Sequence, residues 1–114
     1  MRILFCGDLV GRSGRDVVVE RLPRLRQDLK LDFVIVNGEN AAHGFGITEK
    51  ICESLFEAGA DCITGGNHSW DKPEIAPYMD ADRRMLRPIN FPDGTPGRGV
   101  ADFITDNGLK VKVI

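Results

Sequence analysis

Apolar residues fall along this chain in short unbroken runs separated by stretches with helical spacing. Arg2 to Cys6, Phe33 to Val36 and Asp61 to Thr64 are each short and apolar enough to be a buried strand. Between the first two runs, Val18, Leu22, Leu25 and Leu29 recur at helical intervals, which predicts a helix from near Ser13 to about Leu29 behind a glycine-rich loop over 7–15. Pro23 lies inside that stretch and has to kink the helix or begin a second one. Between the second and third runs, Ile51, Leu55 and Phe56 predict a helix capped by Thr48 and stopped at Gly59. Pro73 suits the first turn of a short helix that ends near Met79.

Beyond Met79 the pattern changes. Met85 to Asn90 reads as a fourth strand, and 91–99 is a loop rich in Pro and Gly. Val100 to Thr105 and Leu109 to Ile114 read as a β-hairpin around Asp106-Asn107-Gly108, and Asn-Gly favours a type I′ turn. Leu109, Val111 and Val113 alternate with Lys110 and Lys112, which gives one buried and one wet face. The order β-α-β-α-β followed by a hairpin defines an α/β fold on a parallel sheet. The 114 residues make one domain at most. They stop inside an apolar strand, which reads as a fragment, a truncated product, or a strand completed by another chain.

Each of the three strands runs into a polar cluster: Cys6-Gly7-Asp8, then Asn37-Gly38-Glu39-Asn40, then Gly65-Gly66-Asn67-His68. A parallel sheet puts the carboxyl ends of its strands on one edge, where open α/β sheets bind ligands. Asp8, Glu39, Asn40, Asn67 and His68 are therefore expected to converge. Two carboxylates, two amide oxygens and an imidazole make a hard-metal site with an acid/base group beside it.

Composition narrows this further. A net charge of −2 leaves no basic footprint for long nucleic acid. The cysteines (Cys6, Cys52 and Cys62) are odd in number and lack C-x-x-C spacing, which argues against a disulfide framework or a zinc knuckle. No secretory signal and no membrane-length apolar run is present, so the chain reads as cytoplasmic.

Every cluster also has a plainer reading. Asp8 fits an Asx turn leaving the sheet. Glu39 after four apolar residues calls for a charge partner, which is a metal or else a salt bridge to Arg12 or Arg15. Asn67 fits a turn cap and His68 a packed histidine, while the glycines before them let the backbone approach a ligand closely. His43, in Ala41-Ala42-His43-Gly44-Phe45-Gly46, is a candidate contact for a substrate phosphate or a surface histidine. Trp70 either stacks on a base or belongs to the core. The 7–15 loop matches neither a P-loop nor G-x-G-x-x-G.

Taken together, Gly7-Asp8-Leu9-Val10-Gly11-Arg12, Asn37-Gly38-Glu39-Asn40-Ala41-Ala42, Thr64-Gly65-Gly66-Asn67-His68-Ser69-Trp70-Asp71-Lys72 and Arg87-Pro88-Ile89-Asn90-Phe91-Pro92 resemble the YmdB-type branch of the calcineurin-like metallophosphoesterases. The resemblance implies the N-terminal part of a four-layer α/β/β/α sandwich. It implies a metal-dependent phosphodiesterase acting on small phosphodiesters such as 2′,3′-cyclic nucleotides, with two iron or manganese ions. On that pattern Asp8 and Asn40 bind the first metal, Glu39 bridges both, Asn67 binds the second, and His68 is the proton donor. Members of the branch are considerably longer and carry further metal-binding histidines, including a Gly-His-x-His pair. This chain has only His43 and His68, and neither matches those ligands.

Phosphodiester cleavage needs a nucleophilic hydroxide, neutralisation of phosphoryl charge and a proton for the leaving group. Paired metals roughly 3.5–4 Å apart supply the first two, and His68 the third. Two rivals stand beside this reading. One is a catalytically incomplete metal- or phosphate-binding module that works as a homo-oligomer and hides its unfinished strands that way. The other is a structural α/β domain whose polar clusters are turn chemistry.

Overall fold

A computed structural model describes residues 1–114. Its centre is a four-stranded parallel sheet of β1 (Ile3–Cys6), β2 (Phe33–Asn37), β3 (Cys62–Thr64) and β4 (Met85–Leu86), laid side by side in chain order. The register runs Ile3 on Phe33, Ile35 on Cys62 and Ile63 on Met85. Helices α1 (Gly11–Asp28), α2 (Glu49–Glu57) and α3 (Ile75–Ala81) connect successive strands. A hairpin of β5 (Ala101–Ile104) and β6 (Lys110–Val113) closes the chain.

The period-2 alternation of strand side chains splits the core in two. Val34, Val36, Ile63 and Met85 face the helices and join Leu22, Ile51, Leu55, Ile75 and Met79. Phe33, Cys62 and Leu86 face the other way and are covered by Ala101, Phe103, Val111 and Val113 of the hairpin. The layers are therefore helices, parallel sheet and antiparallel hairpin. Burial pushes the Cys52 and Cys62 thiols up to about 12, so both act as small apolar side chains.

Several boundaries differ from the sequence expectation. β1 is an edge strand, not a buried one: it pairs with β2 alone, and Ile3 and Phe5 are 46% and 59% exposed. α1 starts at Gly11 because the Gly11 N–H bonds the Asn40 carbonyl at 3.0 Å and the Gly14 N–H bonds that of Val10. It runs through Pro23 as one helix. Leu22, 1% exposed, anchors its face, whereas Leu25 and Leu29 reach solvent. Thr48 occupies the N-cap of α2 but its side chain makes no cap bond; Gly59, at φ +109°, ends that helix as expected.

β4 is only two residues long, because the chain bends away after Leu86 and Arg87 bonds back to the Arg98 carbonyl. The hairpin turn is not type I′. Gly108 alone has positive φ, its N–H bonds the Thr105 carbonyl at 2.8 Å, and the Thr105 N–H bonds that of Leu109. This is a type I turn closed by a G1 bulge, which needs left-handed backbone at one residue only. The bulge turns Leu109 outward, so Val111 and Val113 form the buried face with Ala101 and Phe103.

Candidate metal and phosphodiester site

The strand-end loops meet at the carboxyl edge of the sheet. Backbone bonds tie them together: the Leu9 N–H to the Asn37 carbonyl, the Gly38 N–H to that of Thr64, and the Gly65 N–H to that of Leu86. Asp8 leaves β1 in left-handed backbone, at φ +44°, a strained conformation that Asp tolerates better than most residues. Its carboxylate makes no turn bond. Oδ1 instead accepts from Asn40 Nδ2 at 2.6 Å, across 32 residues of chain.

Glu39 lies between the second and third loops. Its Oε2 accepts the His68 backbone N–H at 3.1 Å, and a Cβ on Gly66 would collide with the carboxylate itself. Gly66 is therefore a notch cut for Glu39. Neither Arg12 nor Arg15 pairs with Glu39, so the salt-bridge alternative fails. The turn is capped by Ser69, not Asn67: the fully buried Ser69 hydroxyl accepts the Gly66 N–H at 2.9 Å and donates to the Gly66 carbonyl at 2.7 Å.

Thus Asp8 and Asn40 are joined directly, and Glu39 is joined to the His68 backbone. Asn67 is exposed between Gly66 and His68, and its side chain bonds none of the others. His43 is exposed, also left-handed at φ +58°, and lies apart from these bonds in the wall of a neighbouring cleft.

Three residues of the site escaped sequence reasoning. Asp71 Oδ2 lies 2.6 Å from His68 Nδ1, which fixes the ring and leaves Nε2 free. The i, i+3 spacing of His68 and Asp71 was the available signal. Phe45 meets the same imidazole edge-on at 5.4 Å between centroids and is 58% exposed. Asn37 ends β2 with its Nδ2 on the Gly65 carbonyl at 3.3 Å and its Oδ1 buried without a partner. Trp70 is no stacking platform: it packs edge-on against Phe91 at 4.8 Å and its indole nitrogen is buried.

The donor set fits a hard, oxygen-ligated cation in part. Two carboxylates and carboxamide oxygens lie at one edge with no Lys or Arg among their bonds; of these Glu39 is half-buried and Asn37 Oδ1 is buried without a partner, which are the acceptors a cation would relieve most. No three His, Cys, Asp or Glu side chains converge closely enough to hold an ion by themselves. The set is therefore carboxylate and amide, and short of ligands for two ions.

The acidic and amide side chains thus line the carboxyl edge of a parallel α/β sheet, the edge at which folds of this class bind their ligands. The model of the YmdB-like protein family matches residues 4–114, and the chain belongs to that family. A 2′,3′-cyclic-nucleotide 2′-phosphodiesterase of Bacillus subtilis is 54% identical over the whole chain, which covers 43% of that enzyme. A solved structure of a hypothetical protein from Thermus thermophilus superposes at a TM-score of 0.90 with 38% identity, over 98% of this chain and 43% of that one. A phosphatase of Mycoplasma pneumoniae superposes at 0.84 with 35% identity, over 96% of this chain and 40% of that one. The chain thus spans about two fifths of the length of the relatives it matches.

Proposed function

We propose that residues 1–114 form the N-terminal portion of a single metallophosphoesterase domain. The reaction is hydrolysis of small phosphodiesters, with 2′,3′-cyclic nucleotides as the leading substrates. The observation that carries this is the meeting of Asp8, Asn40, Glu39 and His68 on one sheet edge with no Lys or Arg bonded to either carboxylate. The name of the Bacillus subtilis relative supports the substrate class.

Asp8 and Asn40 would hold one ion, Glu39 would bridge, and Asn67 would hold the other; iron and manganese suit these hard donors. Bound there, the ions supply charge neutralisation and an activated water. The chain's own residues do the rest. Gly66 leaves room for Glu39 at the centre of the site. Asp71 holds the His68 ring so that Nε2 points a proton at the leaving oxygen. Phe45 beside it offers an exposed apolar surface to the substrate. His43, further out, is a candidate phosphate contact. No helix is long and apolar enough to cross a membrane, and the free cysteines suit a reducing cytoplasm.

The test is hydrolysis of adenosine 2′,3′-cyclic phosphate by the longest natural form of the protein. His68→Ala is expected to lower turnover by a factor of about 10² to 10⁴ while leaving metal content unchanged. Unchanged turnover would remove His68 from the role of proton donor.

One observation favours a second reading, an oligomeric metal- or phosphate-binding module. The outer edge of β1 is unpaired and carries exposed Ile3 and Phe5. A monomer in sedimentation at high concentration would remove it.

A further inference from the structure

Arg12 and Arg15 belong to the motif that begins α1, yet the catalytic reading gives them no task. The structure shows what they line. A cleft of about 740 Å³ opens between α1, α2 and the 41–48 loop, with Arg12, Arg15, His43, Lys50 and Lys72 in its walls. None of these four Arg and Lys side chains takes part in an ion pair. Asp16, Glu20 and Glu74 also line the cleft, over an apolar floor of Val19, Ala42 and Ile51.

Cations outnumber acids at the α1 start: Arg12 and Arg15 precede Asp16 there, beside the carboxyl edge of the sheet, and Glu20 lies about 12 Å beyond Arg12 at 1.5 Å per residue. The mouth is joined to the site. The Asn40 carbonyl accepts both the Gly11 N–H that begins α1 and the Gly44 N–H of the His43 loop, each at 3.0 Å. Lys72 follows Asp71, the partner of His68, and packs on Gly46, where an added Cβ would come within 3.0 Å of its Cγ. An anion lying from the Asp8–Glu39 site into this cleft would lie among Arg12, Arg15, His43, Lys50 and Lys72.

We propose that this cleft is a second anion subsite that holds a phosphate of the substrate other than the one cleaved. The preferred substrate is then a short oligonucleotide ending in a 2′,3′-cyclic phosphate, and not a mononucleotide. The cleft has room for about one further nucleotide on the usual scale of ligand pockets, so a long strand is not required. The nature of the neighbouring reaction rests on the phosphodiesterase reading; the anion subsite does not.

The test follows backbone amide shifts of the metal-free chain during titration with inorganic pyrophosphate, adenosine 2′,3′-cyclic phosphate, and a 5′-phosphorylated diadenylate ending in a 2′,3′-cyclic phosphate. Pyrophosphate and the dinucleotide are expected to move amides over 12–16 and 48–51. The dinucleotide should bind about tenfold tighter than the mononucleotide, as one or two charge-assisted bonds provide. Arg12→Gln with Arg15→Gln should abolish that advantage and leave mononucleotide affinity unchanged. Circular dichroism checks the fold, and Lys50→Gln with Lys72→Gln serves as an independent pair. Silence of the cleft amides to both phosphates overturns the subsite, as does an advantage that survives both variant pairs. A response to pyrophosphate without a dinucleotide preference overturns the assignment to substrate and leaves a site for free polyphosphate. If pyrophosphate moves the cleft while the manganese-loaded longest natural form hydrolyses neither nucleotide, the phosphodiesterase reading fails and the anion site stands.

Discussion

The two ends of the parallel sheet carry similar acids and treat them in opposite ways. At the amino end, Asp61 receives Arg26 through two nitrogens, at 2.6 and 3.2 Å, and also the Val34 N–H at 2.8 Å. Asp32 takes the Arg2 N–H at 2.6 Å and Asn107 Nδ2 at 2.8 Å, with the Met1 ammonium 3.9 Å away, and these partners hold its carboxyl below the usual range. At the carboxyl end, Asp8 has an amide and Glu39 has one backbone N–H, and no Lys or Arg bonds either. Acids that hold the fold together bring their own counter-charge. Acids left without one lie at the edge where open α/β sheets bind ligands, and on the proposed reading a cation supplies the missing charge.

The largest effects that sharpen this contrast belong to the carboxyl end. Asp8→Asn and Glu39→Gln should each weaken manganese retention by more than the roughly 10–100-fold that follows loss of a ligand-supporting group. Thermal stability should stay flat or rise, because an uncompensated charge is removed. Elemental analysis beside calorimetry reads both, and a marked loss of stability would make these acids structural after all. Gly66→Ala should act almost as strongly on metal retention and also cost ~1–3 kcal/mol in stability, since the methyl must displace the Glu39 carboxylate. Full metal retention in that variant would show that Glu39 is not held where a ligand must be.

At the amino end the order reverses. Asp61→Ala should cost about 2 kcal/mol by stranding the half-buried Arg26 guanidinium and the Val34 N–H, with metal retention untouched. Denaturant unfolding of the two proteins measures it. The smallest effect is a titration. The Arg84 guanidinium beside Asp82 holds its carboxyl below the usual range. The stabilisation is therefore present above pH about 4 and is lost as the pH falls through and below that value. Asp82→Asn should flatten the acid limb of melting temperature against pH. An unchanged limb would assign it to other carboxylates.

Much of this was legible in the residues. Short apolar runs broken by helical spacing define parallel strands, and a parallel sheet collects its strand ends, so the meeting of Asp8, Asn40, Glu39 and His68 follows from topology alone. Chain-local signals were equally readable: Gly59 as a helix stop, and the alternation of Lys110, Val111, Lys112 and Val113 across the hairpin.

Pairing across long separations was not legible, because it depends on where backbones are carried and not on neighbouring residues. The pattern shows β1 as apolar, but only the sheet order makes it an edge, and only the placement of the hairpin over Phe33, Cys62 and Leu86 leaves Phe5 in solvent. It offers Arg12, Arg15 or a metal as the partner of Glu39, whereas packing gives Glu39 the His68 N–H and turns the arginines into a cleft on the helix side. It leaves Trp70 open between core and ligand, and contact with Phe91 settles it for packing. Residue identity and period determined the elements, the sheet and the kind of chemistry available at its edge. The third dimension decided which charges are satisfied, because each distance-dependent bond draws its two partners from segments that only folding brings together.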